Sequence, residues 1–187
     1  MPVLGIFASQ ITGHLYAPTG SMYHIASTTL STTATDVTFG SIPADYTHLQ
    51  IRGIARLSSA SNYGEITFNS DTAANYTFHK INGNGSSASA YGASGTNSIY
   101  LDYLAYNSTT ASAFGVFVVD ILDYLNTNKY KTVRTLAGND GNGNGGISFT
   151  SGVWRSTSAI STLTIKGYNN GTDPFVTYSS FALYGVK

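Results

Sequence analysis

Apolar and polar residues alternate with a period of two along much of this chain, and no segment shows strong helical periodicity. In the clearest example, Leu49, Ile51 and Ala55 fall on one side of a segment, and Gln50 and Arg52 fall on the other. A half-buried β-strand gives this pattern because its successive side chains point to opposite faces. The sequence therefore predicts an all-β protein.

Turn-forming Asn, Gly and Pro residues separate the alternating segments at short intervals, which gives about eight to ten strands. The chain shows no internal repeat, so propellers and solenoids are excluded. Long connections between strands favour a jelly-roll-like antiparallel β-sandwich over a small immunoglobulin-type domain. We expect residues 21–187 to form this single domain and residues 1–20 to precede it as an N-terminal arm.

Two segments carry less regular patterns. Residues 82–98 are rich in Gly, Ser and Ala with almost no charge, and they are predicted to form a long loop. Residues 113–125 are almost continuously apolar, which is typical of a strand buried on both faces. A helix over residues 120–125 is the competing interpretation of the end of that run.

Charged residues make up only 10% of the chain and balance to a net charge of zero, whereas soluble domains carry roughly a quarter. Phosphate backbones and anionic membranes bind clusters of Lys and Arg, so neither is an expected partner. No apolar run approaches the length of about 18 residues that would cross a membrane. The chain has no cysteine, which excludes disulfides and thiolate metal sites.

Candidate catalytic and metal-binding residues are scarce. Glu65 is the single glutamate, and the four histidines show no metal-binding spacing. Residues 140–145 match the start of a calcium loop, but Ser151 stands where a bidentate glutamate belongs, and a Gly/Asn hairpin loop is the favoured interpretation. We therefore predict no catalytic residue, no metal site and no cofactor, and a protein that is not an enzyme.

An apolar patch in the predicted arm consists of Val3, Leu4, Ile6 and Phe7. Terminal segments are ordered only when they are tied down. The patch is a candidate for binding a partner, and packing on its own domain is the alternative that the sequence leaves open.

Aromatic residues make up 13% of the chain and supply the remaining contact candidates. Tyr63 and Tyr91 lie in Gly- and Ser-rich segments, where a tyrosine ring can stack on a sugar or enter a protein interface. Trp154 is a third candidate for glycan or interface contact, although a packing role is favoured for it.

Several segments resemble small virion proteins of tailed bacteriophages that infect aquatic bacteria. The similarity covers most of the chain in order, and the C-terminal segment is its most specific part. The matching segments are residues 1–6, 39–43, 46–52, 68–71, 83–87, 120–124, 126–132 and 178–187.

The resemblance implies a structural role on the virion surface and carries over no catalytic residue. Similar proteins are described as structural or tail-fibre-like. A fibre needs a repetitive shaft, which this chain lacks, so we expect a capsid decoration (cement) protein that binds the major capsid protein and assembles as a homotrimer. The alternative is the head of a tail-fibre or baseplate adhesin that binds host glycan.

Overall fold

The computed structural model describes residues 21–187, which form twelve strands and one four-residue helical turn. Their bounds, in chain order, are β1 (Met22–Thr29), β2 (Asp36–Phe39), β3 (His48–Ala55), β4 (Gly64–Phe68), β5 (Tyr76–Gly83), β6 (Ala88–Thr96), β7 (Ile99–Leu101), β8 (Gly115–Leu122), β9 (Lys131–Asp140), β10 (Gly145–Trp154), β11 (Leu163–Gly167), α1 (Tyr168–Gly171) and β12 (Ser180–Val186).

The strands form two antiparallel sheets. The large sheet has the order β1-β12-β3-β8-β9-β10-β5-β6, and the small sheet has the order β2-β11-β4-β7. A jelly roll of eight strands places its first, eighth, third and sixth strands in one sheet and the other four in the second. Without β5, β6, β9 and β10, this chain has that order. The prediction of an antiparallel, jelly-roll-like β-sandwich is confirmed, with twelve strands in place of the eight to ten expected.

The four additional strands are two hairpins inserted into the jelly roll. The β5–β6 hairpin follows β4, and the β9–β10 hairpin follows β8. Both add to the large sheet beyond β8, where β10 pairs with β5. The large sheet is therefore twice as wide as the small sheet that faces it.

The core lies between the two sheets and is built from the inward side chains of the alternating strands. In β3, Leu49, Ile51 and Ala55 are buried as predicted, while Arg52 is exposed. Phe117 of β8 packs against Phe181 of β12, with ring centroids 6.0 Å apart. The hydrophobic burial expected for a chain of this size is concentrated here.

Three of the local interpretations are wrong. Residues 82–98 do not form one loop, because Ala88–Thr96 pairs with β5 as strand β6. Strand β8 is not buried on both faces, since Val116 is 57% exposed on the side away from the core. The helix alternative for residues 120–125 is also wrong, because β8 continues to Leu122 and a turn follows.

Lys131, at the start of β9, is fully buried without a carboxylate partner in the described part of the chain. Its ammonium donates hydrogen bonds to the carbonyl oxygens of Asn126, Lys129 and Thr157, at 2.6, 3.1 and 3.1 Å. Burial lowers the pKa of this ammonium, and the nearby Lys129 lowers it further. The side chain thereby ties two loops to the end of the β9–β10 hairpin.

No helix within residues 21–187 is long and apolar enough to cross a membrane.

Candidate functional site

Near its turn, the β9–β10 hairpin places small polar side chains toward the core and bulky apolar side chains toward solvent. In β10, Ser148 and Thr150 are fully buried, whereas Ile147 and Phe149 are 63% and 46% exposed. In β9, Leu136 is 56% exposed and the neighbouring inward Thr135 is buried. This is the reverse of the usual arrangement, in which apolar side chains face the core.

The exposed apolar side chains lie next to one another because of the strand register. Leu136 pairs with Phe149, and Phe149 pairs with Ile81 of β5. On the β8 side, Val116 pairs with Ile54 of β3. We call this surface the apolar outer patch, and its members are Ile54, Ile81, Val116, Leu136, Ile147 and Phe149.

Two open concavities lie on this patch. The larger, of about 940 Å³, is bounded by Val116, Leu136 and Ile147 and by the loops at residues 83–85 and 143–146. The smaller, of about 440 Å³, lies between Phe149, Ile81 and strand β6. These volumes fall in the range of small-ligand and peptide-anchor sites.

Glycines form much of the floor of the larger concavity. A Cβ atom on Gly138, which pairs with Ile147, would lie 2.9 Å from the carbonyl oxygen of Gly146. A side chain does not fit there, so the concavity stays open between Leu136 and Ile147.

Hydrogen-bonded polar side chains border the patch on the jelly-roll half of the same face. The Arg52 Nε–H donates to Gln50 Oε1 at 2.8 Å, and the Gln50 amide donates to Asp120 Oδ1 at 2.7 Å. The Arg52 guanidinium lies 5.7 Å from the centroid of the Tyr184 ring. The face is thus divided into an apolar part and a polar rim, as in protein interfaces.

The loop at residues 140–145 is a hairpin connection. The Asn142 N–H donates to the Asp140 carboxylate at 2.9 Å, and the Gly141 N–H donates to the Asn144 carbonyl at 2.6 Å. Asn142, Gly143 and Gly145 have positive φ values, which Asn and Gly adopt readily. Within residues 21–187, no three His, Asp or Glu side chains are grouped so that they could hold a metal ion.

The structure brings Tyr63 and Tyr91 together around one ammonium group on the inner side of the β5–β6 hairpin. The Lys80 Nζ lies 6.0 Å from the Tyr63 ring centroid, 5.7 Å from that of Tyr91 and 5.8 Å from that of Tyr100. It also donates a hydrogen bond to Asp102 at 2.8 Å. We call these five residues the Lys80 cluster. Tyr91 is 57% exposed and forms its outer wall.

Two phenols of this cluster, Tyr63 and Tyr100, have a raised pKa. Burial raises the pKa of Tyr63 well above its usual range, and its hydrogen bond to Tyr168 adds to the effect. Burial also raises the pKa of Tyr100, and the neighbouring Glu65 carboxylate contributes. Neutral phenols offer flat faces and hydroxyl donors, so the cluster is suited to stacking and hydrogen bonding.

Trp154 lies in the core and is not a contact residue of this chain's surface. Its side chain is 2% exposed, and its indole N–H donates to Asp71 Oδ2 at 2.7 Å. Burial raises the pKa of the Asp71 carboxyl, but the bonds from Trp154, Asn75 and Ala73 outweigh it and leave the pKa below its usual value. The packing interpretation of Trp154 fits this position.

The predicted arm contacts, Val3, Leu4, Ile6 and Phe7, lie outside the described residues. Sequence reasoning missed the apolar outer patch. The alternation of Ile147 and Phe149 with Ser148 and Thr150 was available as a signal for a strand, but period-two alternation does not show which side faces the core.

Comparisons with known proteins add a resemblance in shape alone. No family model matches this chain, and no curated protein matches it. Among solved structures, the chain is similar to the galectin LEC-6 of Caenorhabditis elegans, with 11% sequence identity and a TM-score of 0.36. The alignment covers 87% of this chain and 95% of the galectin.

Proposed function

We propose that this chain is a non-enzymatic structural protein of a bacteriophage virion, a capsid decoration protein that binds the outer shell. The observation that carries the proposal is the apolar outer patch, in which a hairpin presents Ile147 and Phe149 to solvent and buries Ser148 and Thr150. Such a hairpin gains its full hydrophobic stabilisation only when another protein covers it. The resemblance to phage virion proteins supports the identity of that protein as the major capsid protein.

The size of the patch fits a docking surface. Its six members are 46–63% exposed and lie on neighbouring strands, so they form one apolar surface. Covering such a surface contributes roughly 25 cal/mol per Å² buried, and the costs of association offset part of that gain. The patch alone therefore supports modest affinity. Homotrimer assembly and arm contacts remain part of this proposal.

Binding to shells that lack the protein tests the proposal. We expect hundreds of copies to bind each shell, and the double substitution Leu136→Lys with Phe149→Lys to weaken binding by about a hundredfold or more, because two ammonium groups replace buried apolar contacts. Ser27→Lys, at an exposed position of β1 in the same sheet that lines neither concavity, is the matched control and should change binding by less than about threefold.

Two results would count against the proposal. One is a stoichiometry of a few copies per particle, which indicates a tail position. The other is equal loss of binding in the double variant and the Ser27→Lys control, which indicates a general effect of charge.

The second candidate is an adhesin head that binds host glycan, and the Lys80 cluster favours it. Three tyrosine rings surround one ammonium group in this cluster. Each ring has a flat apolar face and a polar hydroxyl, which suits stacking on a sugar. A glycan array with the full chain tests it. Binding that is lost in Tyr91→Ala and Tyr63→Ala but kept in Tyr178→Ala supports this function; Tyr178 is 76% exposed and outside the cluster. No binding to any cell-wall sugar would contradict it.

A further inference from the structure

The outer edge of strand β6 is a long strand edge that no other strand within residues 21–187 covers. β6 is the last strand of the large sheet, and it pairs only with β5. Residues 88–94 pair with consecutive residues of β5, and the single irregularity follows them, near Gly95 with a φ of 68°. Every second residue of this seven-residue stretch therefore presents an unpaired backbone donor and acceptor on the free side.

The other described edges are shorter or interrupted. β1 has a register shift between His24 and Ala26, β7 has three residues, and β2 has four and begins at an exposed Asp36. Proteins protect exposed edges with charges, prolines, bulges or short strands. β6 contains no charged residue and no proline. Its bulge lies only at its end, so most of the edge is unprotected.

The side chains of β6 are small on both faces. Outward-facing residues are Ala88, Ala90, Gly92 and Ser94, and a Cβ atom at Gly92 would lie 2.5 Å from the His79 ring, which covers this point of the strand. Tyr91 is the one bulky residue. A second extended strand can therefore approach to normal sheet distance without a steric or electrostatic barrier.

We propose that β6 pairs with β6 of a second copy of this chain, antiparallel and about a twofold axis. Two identical neutral edges suit each other because neither carries a charge that would repel its copy, and a twofold axis makes the contact self-complementary. The paired sheets would run continuously through both copies and place the two apolar outer patches on one surface.

The contact is small, which sets the strength we expect. A stable interface buries about 800 Å² on each partner, and a single edge of small side chains buries less. The isolated protein should therefore associate only at high concentration. On a particle, neighbouring copies are held close together, so their effective concentration is high and a contact that is weak in solution forms between them.

Cysteine cross-linking tests the pairing directly, because the chain has no cysteine of its own. Single variants Ala88→Cys, Ala90→Cys, Ala93→Cys and Ser94→Cys are oxidised mildly, with Ser27→Cys on exposed β1 as the matched control. Antiparallel pairing about a twofold axis predicts that covalent dimers peak at one position and decline on both sides, since a disulfide needs Cα atoms within about 7 Å. Equal yields along the strand, or yields no higher than for Ser27→Cys, would overturn the proposal.

Sedimentation of the full chain from about 10 μM to 1 mM gives the second measurement. We expect a monomer–dimer equilibrium whose dissociation constant rises at least about tenfold in the Ala90→Lys and Ser94→Lys double variant. Thr29→Lys on the other edge of the sheet should leave it unchanged. A wild-type chain that stays monomeric throughout, or lysines without effect, would contradict the pairing.

Deletion of residues 1–20 decides whether a different segment occupies the edge. Dimerisation that persists in the deletion variant supports β6–β6 pairing, and dimerisation that disappears assigns the contact to those residues and refutes it. These measurements use the isolated protein without shells. Their failure is therefore separate from a failure of shell binding.

Discussion

Strands β3 and β10 lie in the same sheet and carry opposite patterns of burial. In β3, Leu49 and Ile51 face the core and Arg52 faces solvent. In β10, small hydroxyl residues face inward while Ile147 and Phe149 face outward. The contrast holds for one part of β10: Ile147 and Phe149 lie outward near the hairpin turn, whereas Trp154 at the other end of the strand packs in the core beside Phe68. The jelly roll is stabilised by its buried apolar core, whereas the hairpin extension, strands β5, β6, β9 and β10, exposes Ile147 and Phe149 to solvent.

The largest expected effect separates the core of the jelly roll from the extension. Ile51→Ala should lower the free energy of unfolding by about 2–5 kcal/mol, because it removes fully buried methyl groups and leaves a cavity. Phe149→Ala, on the outer face of β10, should cost less than about 1 kcal/mol. Urea unfolding followed by the fluorescence of the single tryptophan measures both. An equal cost for the two variants would show that Phe149 belongs to the core of the isolated chain.

The second prediction concerns Lys131, whose buried ammonium binds the loops at the end of the β9–β10 hairpin. Lys131→Met should lower the free energy of unfolding by about 2–3 kcal/mol, because three carbonyl oxygens lose a charged donor. Lys129→Met is the control, since Lys129 is exposed and pairs only with Asp123 at the surface; it should cost less than about 0.5 kcal/mol. Equal small costs would mean that water replaces the buried ammonium without loss.

A smaller effect is the dependence of the free energy of unfolding on pH, which arises from tyrosines with a raised pKa. Burial raises the pKa of Tyr63, Tyr76, Tyr100 and Tyr124, so the folded chain keeps protons that the unfolded chain releases near pH 10. Stability should therefore fall as the pH rises through about 10. The lowered pKa of Lys131 acts in the opposite direction, but one group opposes four.

The free energy of unfolding in urea between about pH 8 and 11 checks this dependence. A variant with Tyr63→Phe and Tyr100→Phe should show a shallower decline, because two of the raised pKa values are removed from the Lys80 cluster. A decline of the same slope in the wild type and the variant would place the effect elsewhere in the molecule.

The smallest expected effect concerns the polar inner side of the extension. The Thr135 hydroxyl is buried and has no hydrogen-bond partner among residues 21–187. Thr135→Val should therefore raise the free energy of unfolding by up to about 1 kcal/mol, because the desolvated hydroxyl is removed. Thr132→Val, on the outer face of the same strand, should change it by less than about 0.5 kcal/mol. Destabilisation by Thr135→Val would show that the hydroxyl binds ordered water.

Sequence reasoning could identify the strands of the jelly roll because their pattern is local. Alternation in β3 and the turn residues between strands are properties of neighbouring residues. β6 was missed because Gly, Ser and Ala have no apolar periodicity, and only pairing with β5 makes that segment a strand. Part of the Lys80 cluster could be predicted, since Tyr63 and Tyr91 are contact candidates from the sequence. Their common contact with Lys80 could not, because it requires three segments that are distant in the sequence to meet.

The sequence by itself determined an all-β sandwich with a nearly uncharged surface, because period-two alternation and composition are carried by each segment alone. It did not determine which side of β9 and β10 faces solvent, since alternation is the same viewed from either face. Only the tertiary structure decided that, by adding the two hairpins to the large sheet beside β8. In that arrangement the Ser148 and Thr150 side chains are fully buried, and Ile147 and Phe149 lie on the surface.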